Sequence, residues 1–219
     1  MAPQLPALSR FARATLLRGP YVIVNEGTPD PVELADASLR AGISVVQYRA
    51  KRGIDTDRLR ALRVLTSREG ALLIVNDDID AAVTFDCDGV HLGPDDGAFE
   101  DIGPIRARLG ERLIGISAGT PDEARAAQRA GADYVGIGSV YATTSKDDAG
   151  LPIGIDGLRA VASASALPAA AIGGIGPANI AEVARTGVAM AAVISAIAAA
   201  PDPERAARVL VATWNRERT

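Results

Sequence analysis

The sequence predicts a (β/α)8 barrel, on three observations. Short, β-rich apolar runs alternate from Tyr21 onward with Ala/Leu/Arg/Glu stretches of helical spacing. The runs are apolar on both faces, as parallel strands covered by helices must be. There are eight of them, and eight such units close most naturally into a barrel with its active site at the C-terminal ends of the strands. An open doubly wound sheet is the alternative, but no GxGxxG fingerprint follows the first strand.

Met1 to Gly19 reads as an N-terminal extension in which LSRFARATLL forms a short helix and Pro3 and Pro6 loosen the end. Strands are then expected at Tyr21 to Asn25, Ile43 to Arg49, Ala71 to Asn76, Gly89 to Gly93, Leu113 to Ser117, Tyr134 to Gly138, Pro168 to Ile172 and Val188 to Ile194. Helices are expected near Pro31 to Ala41, Asp55 to Arg68, Asp78 to Thr84, Phe99 to Leu109, Pro121 to Ala130, Ile155 to Ala164, Pro177 to Thr186 and Asp202 to Glu217. Thr120-Pro121 with Glu123, and Gly176-Pro177, are helix starts. Arg40-Ala-Gly-Ile, Arg129-Ala-Gly-Ala-Asp and Thr186-Gly-Val close helices on a left-handed glycine ahead of a strand.

All 219 residues fit one barrel domain, and an apolar content of 48% is ample for its core. A net charge of -4 carries no basic footprint for nucleic acid. No run of about 18 strongly apolar residues is present and the N-terminus lacks a basic segment followed by an apolar one, so neither a membrane nor export is expected. The one cysteine, Cys87, cannot form an internal disulfide and fits a reducing cytoplasm as a buried structural thiol. Whether the chain forms a homo-oligomer is left open.

The chemistry collects at the strand ends. Gln47, Arg49 and Lys51 alternate at the end of the second strand and face one way if the strand continues through them, a set suited to a polyanion or a merely solvated end. Lys51 is one of only two lysines, the other being Lys146. The third strand ends in Asn76-Asp77-Asp78, and the fourth is followed by Asp95-Asp96. Converging carboxylates require a cation, protonation or divergence. Asp oxygens without Cys or clustered His favour a hard ion such as Mg²⁺. Capping of the next helix needs one of the three residues, and Asp78 is assigned to it. His91, the only histidine, lies between Val90 and Leu92 and reads as a core or supporting residue. Ser117-Ala118-Gly119 is a small polar lining or a turn. Thr143, Thr144, Ser145 and Lys146 put hydroxyls and a cation on a long loop after strand six, read as a substrate lid. Gly173-Gly174-Ile175-Gly176 and Ile194-Ser195 end the last two strands, the usual phosphate site of this barrel. An acidic pair, a basic group and a separate glycine-rich site fit two anionic substrates, one of them metal-complexed.

These residues resemble the thiamine-phosphate synthase family, through VQYRAK, NDD, GVHLGPDD, GISAGTPDEA, GADYVGIGSVYATTSK, AIGGI and VISAI in the family's order and spacing. The resemblance implies a transferase that joins hydroxymethylpyrimidine pyrophosphate to hydroxyethylthiazole phosphate, or its carboxylated form, with Mg²⁺. It implies that Gln47, Arg49, Lys51, Asn76, Ser117 and Lys146 hold the pyrimidine pyrophosphate, with Arg49, Lys51 and Lys146 the catalytic cations. Asp77 and Asp96 would hold Mg²⁺. Thr143 and Ser145, with Gly174, Ile194 and Ser195, would hold the thiazole phosphate, and Thr144, from the loop reading, is placed with them as a substrate-binding residue. Two positions depart from the family: Ala50 replaces an acidic residue, and Gly119 replaces a frequent histidine. Related thiazole tautomerases resemble the synthase, use a histidine in that segment and need not keep the metal carboxylates. A tautomerase-like isomerase and a non-catalytic phosphate-binding barrel are the alternatives. A Schiff-base aldolase using Lys146 is disfavoured, because Asp147 and Asp148 keep that amine protonated.

Overall fold

In the computed structural model, which describes residues 8–27, 30–93, 102–145 and 150–219, the eight apolar runs become eight strands. In chain order the elements are α1 (Arg10–Ala14), β1 (Gly19–Asn25), α2 (Pro31–Arg40), β2 (Val45–Arg49), α3 (Thr56–Glu69), β3 (Leu72–Asn76), α4 (Ile79–Thr84), β4 (Gly89–Leu92), α5 (Gly103–Leu109), β5 (Leu113–Ala118), α6 (Pro121–Ala130), β6 (Tyr134–Ile137), α7 (Gly154–Ala162), β7 (Ala169–Ala171), α8 (Ile180–Arg185), β8 (Met190–Val193), α9 (Ser195–Ala198) and α10 (Pro203–Arg216). The strands pair in parallel in sequence order. β8 returns to β1, from Gly19↔Met190 to Val22↔Val193, and the sheet closes on itself. Among the described residues no helix is long and apolar enough to cross a membrane.

Strand geometry sends successive side chains to opposite faces, and here both faces are buried. On β1, Tyr21 and Ile23 point into the barrel, while Val22 and Val24 pack against the helices. Val45, Leu72, Ile74, Leu113, Tyr134 and Met190 complete the inner layer, and Leu17 joins it from the segment after α1. Small residues make room for the large ones. A Cβ on Gly115 would lie 2.1 Å from Tyr134 Cζ. Gly115→Ala is therefore expected to cost about 1–3 kcal/mol of stability through overpacking; an unchanged denaturation midpoint would show that the Tyr134 ring can move aside.

The N-terminal ends of the strands are tied by two buried aspartates. Asp88, just before β4, accepts from Leu73 N–H at 3.0 Å and from Arg13 Nε at 3.0 Å, with Arg63 on its other side. Asp133, just before β6, accepts from Ile114 N–H at 2.8 Å and pairs with Arg106 at 2.6 Å and with Arg10. So α1 is pinned to the closed end of the barrel by Arg10 and Arg13. Neighbouring Cys87 is fully buried, and burial pushes its thiol up to about 12.

Local chemistry explains most boundaries and the few differences from expectation. Thr120 and Glu123 form the expected capping box on α6, and Asp78 caps α4 by accepting from Ala81 N–H at 2.8 Å. α8 begins at Ile180, later than Pro177, because Asn179 Oδ1 accepts from Gly176 N–H at 2.8 Å and holds the intervening residues in a turn. The four-residue helix α9 lies where only a loop was expected. β2 ends at Arg49 and the chain turns at Lys51, so the alternation expected through Lys51 stops one residue pair short.

Candidate active site

The C-terminal ends of the strands surround a cavity of about 310 Å³. Register decides what reaches it. Gln47 lies opposite Ile74 across β2 and β3, Asn76 opposite His91 across β3 and β4, and Ser117 opposite Gly136 across β5 and β6. Gln47, Arg49, Asn76, His91 and Ser117 thus line one side, above a floor that includes Tyr21, Ile23 and Ala192. Among the described residues no carboxylate pairs with Arg49, so its charge is available to an anion. Gln47 is 2% exposed, and its Nε2 has no hydrogen-bond partner. A buried donor left so costs about 1–3 kcal/mol, which a ligand acceptor would recover.

The opposite side is built from the loops after β6, β7 and β8. Gly173 and Gly174 adopt φ of 101° and 65°, and a Cβ on Gly174 would meet the Ala142 carbonyl oxygen at 2.5 Å. Only glycine lets these two loops touch. Asn179 Nδ2 donates to the Gly174 carbonyl at 2.9 Å and fixes the turn. Ser145 N–H donates to Thr143 Oγ1 at 3.1 Å, and Ser145 Oγ reaches Ser195 Oγ at 3.5 Å, drawing the loop after β6 toward the end of β8. Thr143, Ser145, Gly174, Ile194 and Ser195 all line the cavity. Tyr141, which donates to Glu182 at 2.8 Å, anchors the same loop from outside, and its phenol is pushed up to about 12, chiefly by burial.

The remaining expected site residues either stand outside the cavity lining or lie outside the described residues. Lys51 and Thr144 are exposed and outside the cavity lining. Asp77 is exposed at the end of β3 with φ of 64°, and its N–H donates to the His91 carbonyl at 2.9 Å, joining the ends of β3 and β4. Lys146 and Asp96 lie outside the described residues, as do Asp95, Asp147 and Asp148. Among the described residues no group of three or more His, Cys, Asp or Glu could hold a metal.

Sequence reasoning left out several lining residues. Glu123 lines the cavity because its carboxylate, accepting from Gly119 N–H at 2.6 Å and Thr120 N–H at 3.1 Å, folds back over the helix start. Its capping role was readable; its position at the rim was not. His91 fits its reading as a supporting residue, hydrogen-bonded at 3.1 Å to both Tyr134 and Ser117, yet it also borders the cavity.

A family model described as thiamine monophosphate synthase matches residues 20–197. A thiamine-phosphate synthase of Archaeoglobus fulgidus is 48% identical over 184 residues, covering 82% of this chain and 84% of that protein. One from Moorella thermoacetica is 41% identical over 206 residues, covering 90% and 96%. The solved structure of a thiamine phosphate pyrophosphorylase from Pyrococcus furiosus superimposes with a TM-score of 0.83 at 35% identity, over 93% of this chain and 98% of that one. With that match along the barrel and its strand-end motifs, the chain belongs to the thiamine monophosphate synthase family of transferases.

Proposed function

We propose that the cavity joins hydroxymethylpyrimidine pyrophosphate to hydroxyethylthiazole phosphate, or its carboxylated form, giving thiamine phosphate and pyrophosphate. The observation that carries this reading is the two-sided cavity itself. Arg49, which pairs with no carboxylate among the described residues, buried Gln47 and half-buried Asn76 and Ser117 face a glycine turn flanked by hydroxyls, over a largely apolar floor that suits flat heteroaromatic rings.

Gln47, Asn76 and Ser117 would hold the pyrimidine, and Arg49, Lys51 and Lys146 the pyrophosphate. The thiazole phosphate would lie against Gly174, Ile194 and Ser195, with Thr143, Thr144 and Ser145 closing over it. The bond from the pyrimidine methylene to the pyrophosphate oxygen breaks, its electron pair leaving with the pyrophosphate. The thiazole nitrogen lone pair then forms the new bond to that methylene. No protein nucleophile is needed; the cations stabilise the leaving group and the walls hold the two partners in line.

Asp77 and Asp96 are the residues proposed to hold Mg²⁺. An all-oxygen donor set with Asp78 already committed to a helix cap suits a hard ion completed by phosphate oxygens. The bound ion would neutralise charge on the departing pyrophosphate. The deciding experiment incubates the purified chain with both substrates, with and without Mg²⁺, and looks for thiamine phosphate by mass. No product under either condition would overturn the reading, and isomerisation of the thiazole phosphate without thiamine phosphate would favour a tautomerase.

Lys51, exposed on the turn beyond Arg49, can reach a substrate only at its charged end. Lys51→Ala is expected to lower kcat/KM for the pyrophosphate substrate by about tenfold, the value of one charge-assisted hydrogen bond. An unchanged value would remove Lys51 from the site.

A further inference from the structure

Beneath Ser117 the barrel interior holds polar groups that apolar packing alone would not select. His91 on β4 is 9% exposed and Tyr134 on β6 is 1% exposed. The imidazole bridges them to the cavity: Nδ1 lies 3.1 Å from the Tyr134 hydroxyl and Nε2 lies 3.1 Å from Ser117 Oγ. Two strands forgo side chains to admit the pair. A Cβ on Gly115 would come 2.1 Å from Tyr134 Cζ, and one on Gly136 would come 2.9 Å from His91 Cε1.

A neutral imidazole has one donor nitrogen and one acceptor nitrogen, so the bond made by Nδ1 dictates the bond made by Nε2. Tyr134 biases that choice. Burial raises its phenol well above the ordinary range, and the hydroxyl keeps its hydrogen. A buried O–H requires an acceptor, and His91 Nδ1 stands at hydrogen-bond distance. Gln47 also acts on the phenol, in the direction that favours the phenolate, which is the action of a donor and not of an acceptor, and its Nε2 makes no hydrogen bond of ordinary geometry. With Nδ1 accepting, Nε2 carries the hydrogen and gives it to Ser117 Oγ. The Ser117 hydroxyl is then left with its own hydrogen to donate.

We propose that Tyr134 and His91 are positioning residues which, through Tyr134 O–H to Nδ1 and Nε2–H to Ser117 Oγ, make the Ser117 hydroxyl a hydrogen-bond donor to the pyrimidine pyrophosphate. The proposal rests on the reading that Ser117 contacts that substrate. Without the Tyr134 hydroxyl the ring is free to take the opposite tautomer, in which Nε2 accepts from Ser117 and the hydroxyl offers the cavity only lone pairs.

His91 is the sole histidine, so nitrogen-15 spectra of the labelled protein report one imidazole. The expected wild-type spectrum shows Nε2 protonated and Nδ1 bare, with the other tautomer gaining population in Tyr134→Phe. A wild-type ring protonated at Nδ1 alone, or at both nitrogens, overturns the relay, and this measurement needs no variant to fold. In kinetics, Tyr134→Phe is expected to lower kcat/KM for the pyrimidine pyrophosphate by about threefold to tenfold, the value of one hydrogen bond, with KM for the thiazole phosphate unchanged. In a Ser117→Ala background the same substitution should add nothing; equal losses in both backgrounds overturn the relay. Full activity of Ser117→Ala with the expected tautomer intact overturns the substrate contact and leaves the relay standing.

Discussion

Asp77→Ala is expected to lower kcat/KM for coupling by about a thousandfold in saturating Mg²⁺, because a metal that neutralises a leaving group is worth several kcal/mol and each 1.4 kcal/mol is tenfold. The expectation comes from the division of labour at the end of β3. Asp78 is committed to capping α4, whereas the exposed Asp77 carboxylate stands where β3 and β4 are joined through its own N–H and the His91 carbonyl. Its φ of 64° adds a backbone cost for alanine of about 1–2 kcal/mol. Asp77→Asn separates the two effects, since asparagine tolerates that conformation but lacks the charge. Activity of both variants in Mg²⁺ should fall together, while calorimetry shows the thiazole phosphate binding as in the wild type. Full activity of Asp77→Asn would sink the metal assignment; loss confined to Asp77→Ala would put the effect in the backbone.

Asp88→Ala is expected to reduce the free energy of unfolding by about 3–5 kcal/mol, the range for removing one partner of a buried ion pair. The substitution leaves Arg13, whose side chain is 6% exposed, facing a void, and takes the acceptor from Leu73 N–H. Arg13 also donates to the Glu111 carbonyl at 3.3 Å and to the Leu8 carbonyl, which keeps the loss toward the lower end. Urea denaturation followed by the single tryptophan, Trp214, buried in α10, measures it. A loss below about 1 kcal/mol, the scale of an exposed pair, would show that α1 is not held as described. Asp88 lies at the end of β4 remote from the cavity, so the folded variant should keep its activity.

Most of the fold was readable because its signals are local. A strand apolar on both faces and a Thr120/Glu123 cap are written within a few neighbouring residues, and the eightfold alternation left one closed arrangement. The strand-end rule then collected Gln47, Arg49, Asn76, Ser117, Thr143, Ser145, Gly174, Ile194 and Ser195, all of which reach the cavity. Lys51 lies outside the lining because β2 ends at Arg49 and the period of a strand stops where its ladder stops; Thr144, on the loop after β6, is exposed between the lining residues Thr143 and Ser145.

What the sequence by itself determined is therefore the order of strands and helices, the caps and the kinds of side chain delivered to the open end. Only the tertiary structure decided which of them meet. The stagger of parallel strands puts His91 between Tyr134 and Ser117, residues 43 and 26 positions away, and the docking of α1 sets Arg13 against Asp88 across 75. Such pairs carry no local signal, since their partners are chosen by barrel closure and by glycines at Gly115 and Gly136 whose need appears only when a neighbouring ring fills the space.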